Sequence, residues 1–295
     1  MLNNSVDSFR HQKTLRQIWL AFYQDKVALY SFYIFTALIF IAIFAPYITP
    51  YNVNQQFVGE ALLPPSWFES GKISHFLGTD NIGRDVLSRL LVGTSYTFGT
   101  ALVVALATAI LGGLFGTLAG LSHGVRSRIL GHFFDSFISI PTLLTAIIIA
   151  TLMKASLANS MLAITLALLP YFIHEISQVV RQELNTNYIT MLRLDGATHW
   201  QQLKACFVPK VLIRYMREVS KVFVVAIVDI AALSFISLGA QAPTPEWGLM
   251  IKDSVSLIFV APWLVILPGI ALLFTVMIWL IFSNGLCHTV EKYYE

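Results

Sequence analysis

Residues 183–221 read ELNTNYITMLRLDGATHWQQLKACFVPKVLIRYMREVSK, a polar and basic stretch set between two long apolar runs. Within it, Tyr188–Leu194 places Ile189 and Leu192 on one side of a short helix and Arg193 on the other. Asp195-Gly196 ends that helix, because glycine accepts the left-handed backbone of a sharp turn. Thr198 is the candidate N-cap of a second helix running through Trp200, Leu203 and Ala205, which Pro209 ends or kinks. Two short helices joined by a glycine and ringed by basic residues make either a rigid knob for a cytosolic partner or an amphipathic hairpin on anionic lipid.

The flanking sequence sets the class. The chain is 56% hydrophobic and 12% charged, with a mean hydropathy of +0.70, against roughly 25% charged residues in soluble domains. A span needs roughly 20 apolar helical residues. Six candidates lie at Val27–Ala45, Thr97–Leu121, Ser136–Met153, Ala155–Ile173, Val219–Leu238 and Trp263–Phe282. The expectation is an all-α polytopic membrane protein with six transmembrane helices.

Charge placement orients it. One face collects Arg10, Lys13, Arg16, Lys26, Arg126, Arg128, the seven Lys and Arg from Arg181 to Lys221, and Lys292, which is fourteen of the nineteen. Lys72, Arg84, Arg89, Lys154 and Lys252 fall on the other. The positive-inside rule puts both termini in the cytosol. The first apolar run starts late and lacks a small-residue cleavage pattern, so it is expected to stay as an uncleaved span. Cys206 and Cys287 have no metal or redox spacing and are expected to be unpaired thiols.

This reading divides the chain into a cytosolic segment 1–26, a first span 27–45, an extracytoplasmic loop 46–96, a core 97–285 with the cytosolic segment 183–215, and a cytosolic tail 286–295. Gly112, Gly116 and Gly120 recur every fourth residue and predict a smooth face for close helix packing. Asp80, Arg84, Asp85 and Arg89 have helix-compatible separations and read as an ion-paired lead-in to the second span. Residues 243–248 read as a stiff external turn with Trp247 at the membrane interface. Asp229 is an acid in mid-span, either paired with another helix or placed on a substrate pathway. The sequence carries no converging Ser/His/Asp, Cys/His or metal cluster and no Walker motif.

Several blocks together resemble a known family. Leu77-Gly78-Thr79-Asp80, Gly83-Arg84-Asp85 and Ser88-Arg89 look like the signature of the C-type permease subunit of dipeptide and oligopeptide ABC importers. Leu238-Gly239-Ala240-Gln241, Pro245-Glu246-Trp247-Gly248 and Ala261-Pro262-Trp263 resemble that family's later blocks. The family's cytosolic motif is Glu-Ala-Ala, three residues, Gly, nine residues, then Ile, one residue, Leu-Pro. Laid on Gly196, it puts Thr190-Met191-Leu192 at the Glu-Ala-Ala positions and Pro209 at the final proline. Gly196 and Pro209 match by identity, and the glutamate is absent. Leu62-Leu63-Pro64-Pro65-Ser66-Trp67 and Leu194-Asp195-Gly196-Ala197 look most like the Sap-type branch. The last span departs, with Ser283-Asn284-Gly285-Leu286-Cys287-His288 where the family usually has Gly-Asp-Gly-Leu-Arg-Asp.

The resemblance implies the type I ABC importer permease fold in a bacterial inner membrane. It implies a chain that is no enzyme and forms half of a pathway with a second permease subunit. Two ATPase subunits would carry ATP and Mg and receive the knob through Thr190, Met191, Leu192, Arg193, Gly196, Ala197 and Pro209. An extracytoplasmic binding protein would deliver substrate, membrane lipid would surround the chain, and nucleic acid has no part. Gly78, Thr79, Asp80, Gly83, Arg84, Asp85, Arg89, Trp247 and Gly248 would be structural signature residues, and Asp229 the candidate pathway residue. The Sap-type likeness points to peptides, with cationic antimicrobial peptides as the narrower form. Haem or a polyamine is the alternative substrate, and a stand-alone secondary transporter the alternative class.

Overall fold

Asp25 opens the first long helix by accepting hydrogen bonds from the amides of Val27 and Ala28 at 3.0 and 3.1 Å, satisfying donors that the first turn leaves free. The computed structural model describes residues 19–20, 22–56, 60–122, 138–198, 201 and 211–294. Its long elements are helical: α1 (Lys26–Ile48), α2 (Val86–Thr94), α3 (Thr100–Leu121), α4 (Thr142–Thr151), α5 (Leu157–Leu184), α6 (Asn187–Leu194), α7 (Leu212–Phe235), α8 (Trp247–Ser254) and α9 (Trp263–Tyr294). A π-helical turn over Ser95–Gly99 joins α2 to α3 without a break.

Four helical stretches among the described residues are long and apolar enough to cross a membrane: Lys26–Ile48, Val86–Leu121, Leu157–Leu184 and Trp263–Lys292. The protein is therefore an all-α, polytopic membrane protein, but four spans rather than six meet both criteria. The ten residues of α4 rise only about 15 Å, half of a bilayer core, and residues 123–137 before it lie outside the described part. The helix α7 is long enough, but Arg214, Arg217, Glu218, Lys221 and Asp229 interrupt its apolar character.

Small residues decide how the helices meet. A Cβ at Gly112 would lie 2.6 Å from Phe172, at Gly116 2.8 Å from Ile176, and at Gly120 2.7 Å from Val180. The glycine face of α3 thus lies directly on α5, the close packing expected of it. From α7, the Tyr215 hydroxyl donates to the Ala109 carbonyl at 2.7 Å. Trp279 of α9 donates Nε1–H to the Ser220 carbonyl at 3.1 Å, and its ring lies 4.1 Å from that of Phe223. Phe35 of α1 stacks on Phe282 at 4.7 Å, so α1 joins the bundle through its contact with α9.

Several helices outrun the expected spans. α5 continues to Leu184 and α9 to Tyr294, so residues 286–294, expected as part of a tail, are the last turns of α9. Polar ends of this kind carry no apolar signal, which is why hydropathy misses them.

Candidate functional site

At the α2 end of the bundle, Gly78 and Gly83 adopt φ of +82° and +72°, in the left-handed region that glycine enters without strain. These two turns fold residues 77–85 into a loop closed by a bridge between Thr79 and Asp85. Asp80 and Arg84 are therefore on a loop, not on the helix that their spacing allowed. The helix starts only at Val86, where Asp85 caps it by accepting from the Ser88 amide at 2.8 Å.

The charges of this loop are buried and matched. Arg84 Nε donates to Asp80 Oδ2 at 2.5 Å, and Asp80 Oδ1 accepts from the amides of Ile82 and Arg84 at 3.0 and 2.9 Å. Arg89 lies 3.9 Å from the same Asp80 oxygen and is 2% exposed. Its guanidinium also donates to the carbonyls of Val53 and Pro243, at 3.4 Å each. One side chain thus ties together the 46–96 loop and the loop before α8. His75 Nδ1 lies 3.0 Å from Asp85 Oδ1, and the His75 ring stacks on Tyr51 at 4.9 Å.

Trp247 is buried at 2% exposure rather than standing at the membrane interface. Its Nε1–H donates to the Leu90 carbonyl at 3.1 Å, over Gly93, where a Cβ would come within 2.5 Å of the indole. Gly248 leaves only 2.2 Å between a would-be Cβ and the Ala231 carbonyl. Both residues are tightly packed against neighbouring backbone. Sequence reasoning missed Glu246, which is fully buried. It caps α8 by accepting from the Leu249 amide at 2.8 Å and also accepts from Thr97 Oγ1 at 2.9 Å. Burial holds this carboxyl above the ordinary glutamate range, against hydrogen bonds that pull it down. An acid just ahead of an apolar helix start is the signal that could have found it.

At the other end of the bundle, α6 follows α5 after a two-residue turn. Ile189 is buried, whereas Tyr188, Met191 and Leu194 are exposed, Leu194 at 83%. Gly196 has φ +83°, and the Ala197 amide donates to the Leu192 carbonyl at 3.0 Å, closing the helix end. Thr198 Oγ1 accepts from the Gln201 amide at 3.4 Å, while the Gln201 side chain accepts from the Thr198 amide at 2.8 Å. This reciprocal pair is a capping box and fits a helix start at Thr198. Thr190, Met191, Leu192, Arg193, Gly196 and Ala197 come together around this turn. Pro209 and most of the expected second helix lie outside the described residues.

Asp229 is 5% exposed in the C-terminal half of α7, and its Oδ2 has no hydrogen-bond partner among the described residues. It belongs to neither of the two assemblies above. Among the described residues no group of three or more His, Cys, Asp or Glu is placed to hold a metal.

The apolar bundle of an integral membrane protein thus has two ends of different character, clamped at one and presenting an exposed glycine-turned helix at the other. The chain belongs to the family of binding-protein-dependent transport system inner membrane components, whose family model matches residues 112–285. The N-terminal transmembrane domain of oligopeptide transport permease C matches residues 13–65. The chain is 52% identical over 295 residues to the peptide transport system permease protein SapC of Haemophilus influenzae, covering all of both chains. It is 45% identical over 272 residues to SapC of Escherichia coli O6:H1, covering 92% of each. It is also 36% identical over 272 residues to the dipeptide transport system permease protein DppC of Escherichia coli K12, covering 92% of this chain and 91% of that one. The protein is thus a multi-pass permease subunit of an ABC transporter in the inner membrane, a membrane component and not an enzyme.

Proposed function

We propose that this chain forms half of a translocation pathway for peptides, cationic antimicrobial peptides among them, together with a second permease subunit. The observation that carries the substrate class is the 52% identity over the full length to a peptide transport permease. Two ATPase subunits, holding ATP and Mg, bind the turn at Gly196, and an extracytoplasmic binding protein delivers the peptide. The exposed apolar side chains of Tyr188, Met191 and Leu194 beside a left-handed glycine support the docking role of that turn. The buried core of a protein interface is apolar and poor in charge.

The reading has six membrane crossings, with α4 and α7 completing the set. Residues 1–26 and 286–295 lie in the cytosol, and the stretch from residue 46 to the start of α2 lies outside. The charged half of α7, with Arg214, Arg217 and Lys221, sits at the cytosolic boundary where basic residues collect. Asp229 serves as the pathway acid: an intramembrane carboxyl with an oxygen that the described chain leaves unpartnered is suited to meet a cationic cargo.

Purification of a tagged chain from native membranes tests this assembly. The expected result is recovery of one further permease and two ATPase chains. Recovery of this chain alone or as a homodimer, with transport intact, would favour the stand-alone transporter. Reporter fusions after Lys72 and after Glu246 should report the outside, and fusions after Lys204 and Glu295 the cytosol.

A further inference from the structure

The loop between α1 and α2 carries a group of large apolar side chains that the described residues leave uncovered. Trp67, Phe68, Ile73 and Phe76 are each more than half exposed, Ile73 at 88%. Phe259 and Val260, in the turn before α9, are 98% and 66% exposed. Beneath them the loop is well packed: Leu77 clusters with Ala261 and Leu264, with Leu62, Leu257 and Leu267 against that cluster. The uncovered side chains are therefore held by a rigid base. Trp67 meets Phe76 edge-on at 6.0 Å, and Phe68 lies 6.2 Å from the ring of Trp263.

Trp263 decides what covers this patch. It is the first residue of a membrane-spanning helix. Ile266, Ile270, Leu273 and Met277 follow it at three- and four-residue steps, forming one helical stripe, and all four are about half exposed or more. The contacts of α9 with α7 and α1 run through Trp279 and Phe282, which fall on the opposite side of the helix from this stripe. An exposed apolar stripe on a helix of spanning length suits lipid, and the Phe68–Trp263 contact makes the loop patch a continuation of that stripe. Tryptophan and other amphipathic rings favour the membrane–water interface. Lys72 and Glu60, paired at 2.7 Å and exposed, supply a polar edge from the same loop.

We propose that Trp67, Phe68, Ile73, Phe76, Phe259 and Val260 form a membrane-resting apron, by which the loop between α1 and α2 lies in the headgroup layer at the end where α9 begins. The apron holds the clamped Asp80–Arg84 loop at a set height over the bilayer, so a partner approaching from that side meets a platform fixed to lipid.

The test places an environment-sensitive dye on Ile73→Cys in a chain lacking its own cysteines (Cys206→Ser, Cys287→Ser). The assembled transporter is then reconstituted in nanodiscs of phosphatidylcholine and phosphatidylglycerol, with or without acyl chains brominated near the headgroup. Bromolipid should quench the dye several-fold more than aqueous iodide does, and Trp67→Ser with Phe68→Ser should reverse that ratio. Iodide quenching equal to that of free dye, without bromolipid quenching, would overturn the proposal. So would shielding from both quenchers, which would mean that a protein subunit covers the patch. If the cysteine-free chain fails to assemble, the bromolipid quenching of tryptophan emission that disappears with Trp67→Phe decides the same question.

Discussion

Thr97 and Glu246 stand 149 residues apart in the chain and are joined by one hydrogen bond, Thr97 Oγ1 donating to Glu246 Oε1 at 2.9 Å. The same hydroxyl accepts from the Trp247 amide at 3.0 Å. Thr97 lies in the π-helical turn between α2 and α3, where a one-residue widening of the helix re-aims its side chains. Ser234 of α7 also hydrogen-bonds Glu246 and accepts from the Ala240 amide at 3.1 Å. The π-helical turn, α7 and the first turn of α8 thus converge on one buried carboxyl.

Removing that carboxyl should loosen this end of the bundle. Glu246→Ala strands the Leu249 amide and the Thr97 hydroxyl, which costs about 1–3 kcal/mol. Glu246→Gln should cost less, since it keeps the acceptor that faces one of them. The pH dependence has a definite sign. A carboxyl raised in the folded state binds more protons folded than unfolded, so its contribution to stability is lost as pH rises from the ordinary glutamate range through the raised value. Thermal unfolding of the purified subunit across that range should fall more steeply with pH in the natural chain than in Glu246→Gln. Equal slopes would remove Glu246 from the account.

Arg84→Met leaves Asp80 buried beside a single more distant guanidinium, Arg89 at 3.9 Å. Breaking a buried pair in this way costs about 3–5 kcal/mol, far more than replacing both partners with apolar side chains. The double variant Asp80→Leu, Arg84→Met should therefore be more stable than Arg84→Met alone. Protease resistance in detergent can rank the three. Additive losses would mean that the pair is not coupled.

Gly116→Ala puts a methyl group 2.8 Å from Ile176, and overpacking of this order costs about 1–3 kcal/mol. Gly269→Ala meets no described atom within 4 Å and should be neutral. Folded yield in membranes after mild heating should separate the two, and similar losses at both sites would count against the tight α3–α5 contact.

Asp229→Asn should leave assembly intact and weaken stimulation of ATP hydrolysis by cationic cargo. Unchanged stimulation at matched levels would take Asp229 off the pathway.

The helices and their apolar faces were legible because lipid and close packing both write strong periodic signals. The Gly112–Gly116–Gly120 face and the turn at Gly196 could each be read from a few residues. What escaped depended on contacts distant in sequence. The spacing of Asp80, Arg84 and Arg89 fits a helix, and only the positive φ of Gly78 and Gly83 makes it a loop. Trp247 looked interfacial because its partner, the Leu90 carbonyl, lies 157 residues away. The span count came apart at α4, of which only ten helical residues are described, and at α7, where charged residues continue the same helix as apolar ones.

Gly196 offers the most direct test of the central claim, that this chain is a permease driven through its cytosolic turn. A Cβ there meets no described atom within 4 Å, so the cost of a substitution is that of the left-handed backbone alone, about 1–2 kcal/mol for a β-branched residue. The measurement is peptide-stimulated ATP hydrolysis and peptide transport by the reconstituted complex with Gly196→Val, Gly196→Asn and Thr190→Ala, at matched membrane levels. The account predicts that Gly196→Val inserts normally but loses transport, with ATPase subunits released or cycling without cargo. Gly196→Asn, which tolerates the same backbone, should retain most coupling, and Thr190→Ala should change little. Full coupling in Gly196→Val would contradict the docking role and leave the turn as a hairpin lying on lipid.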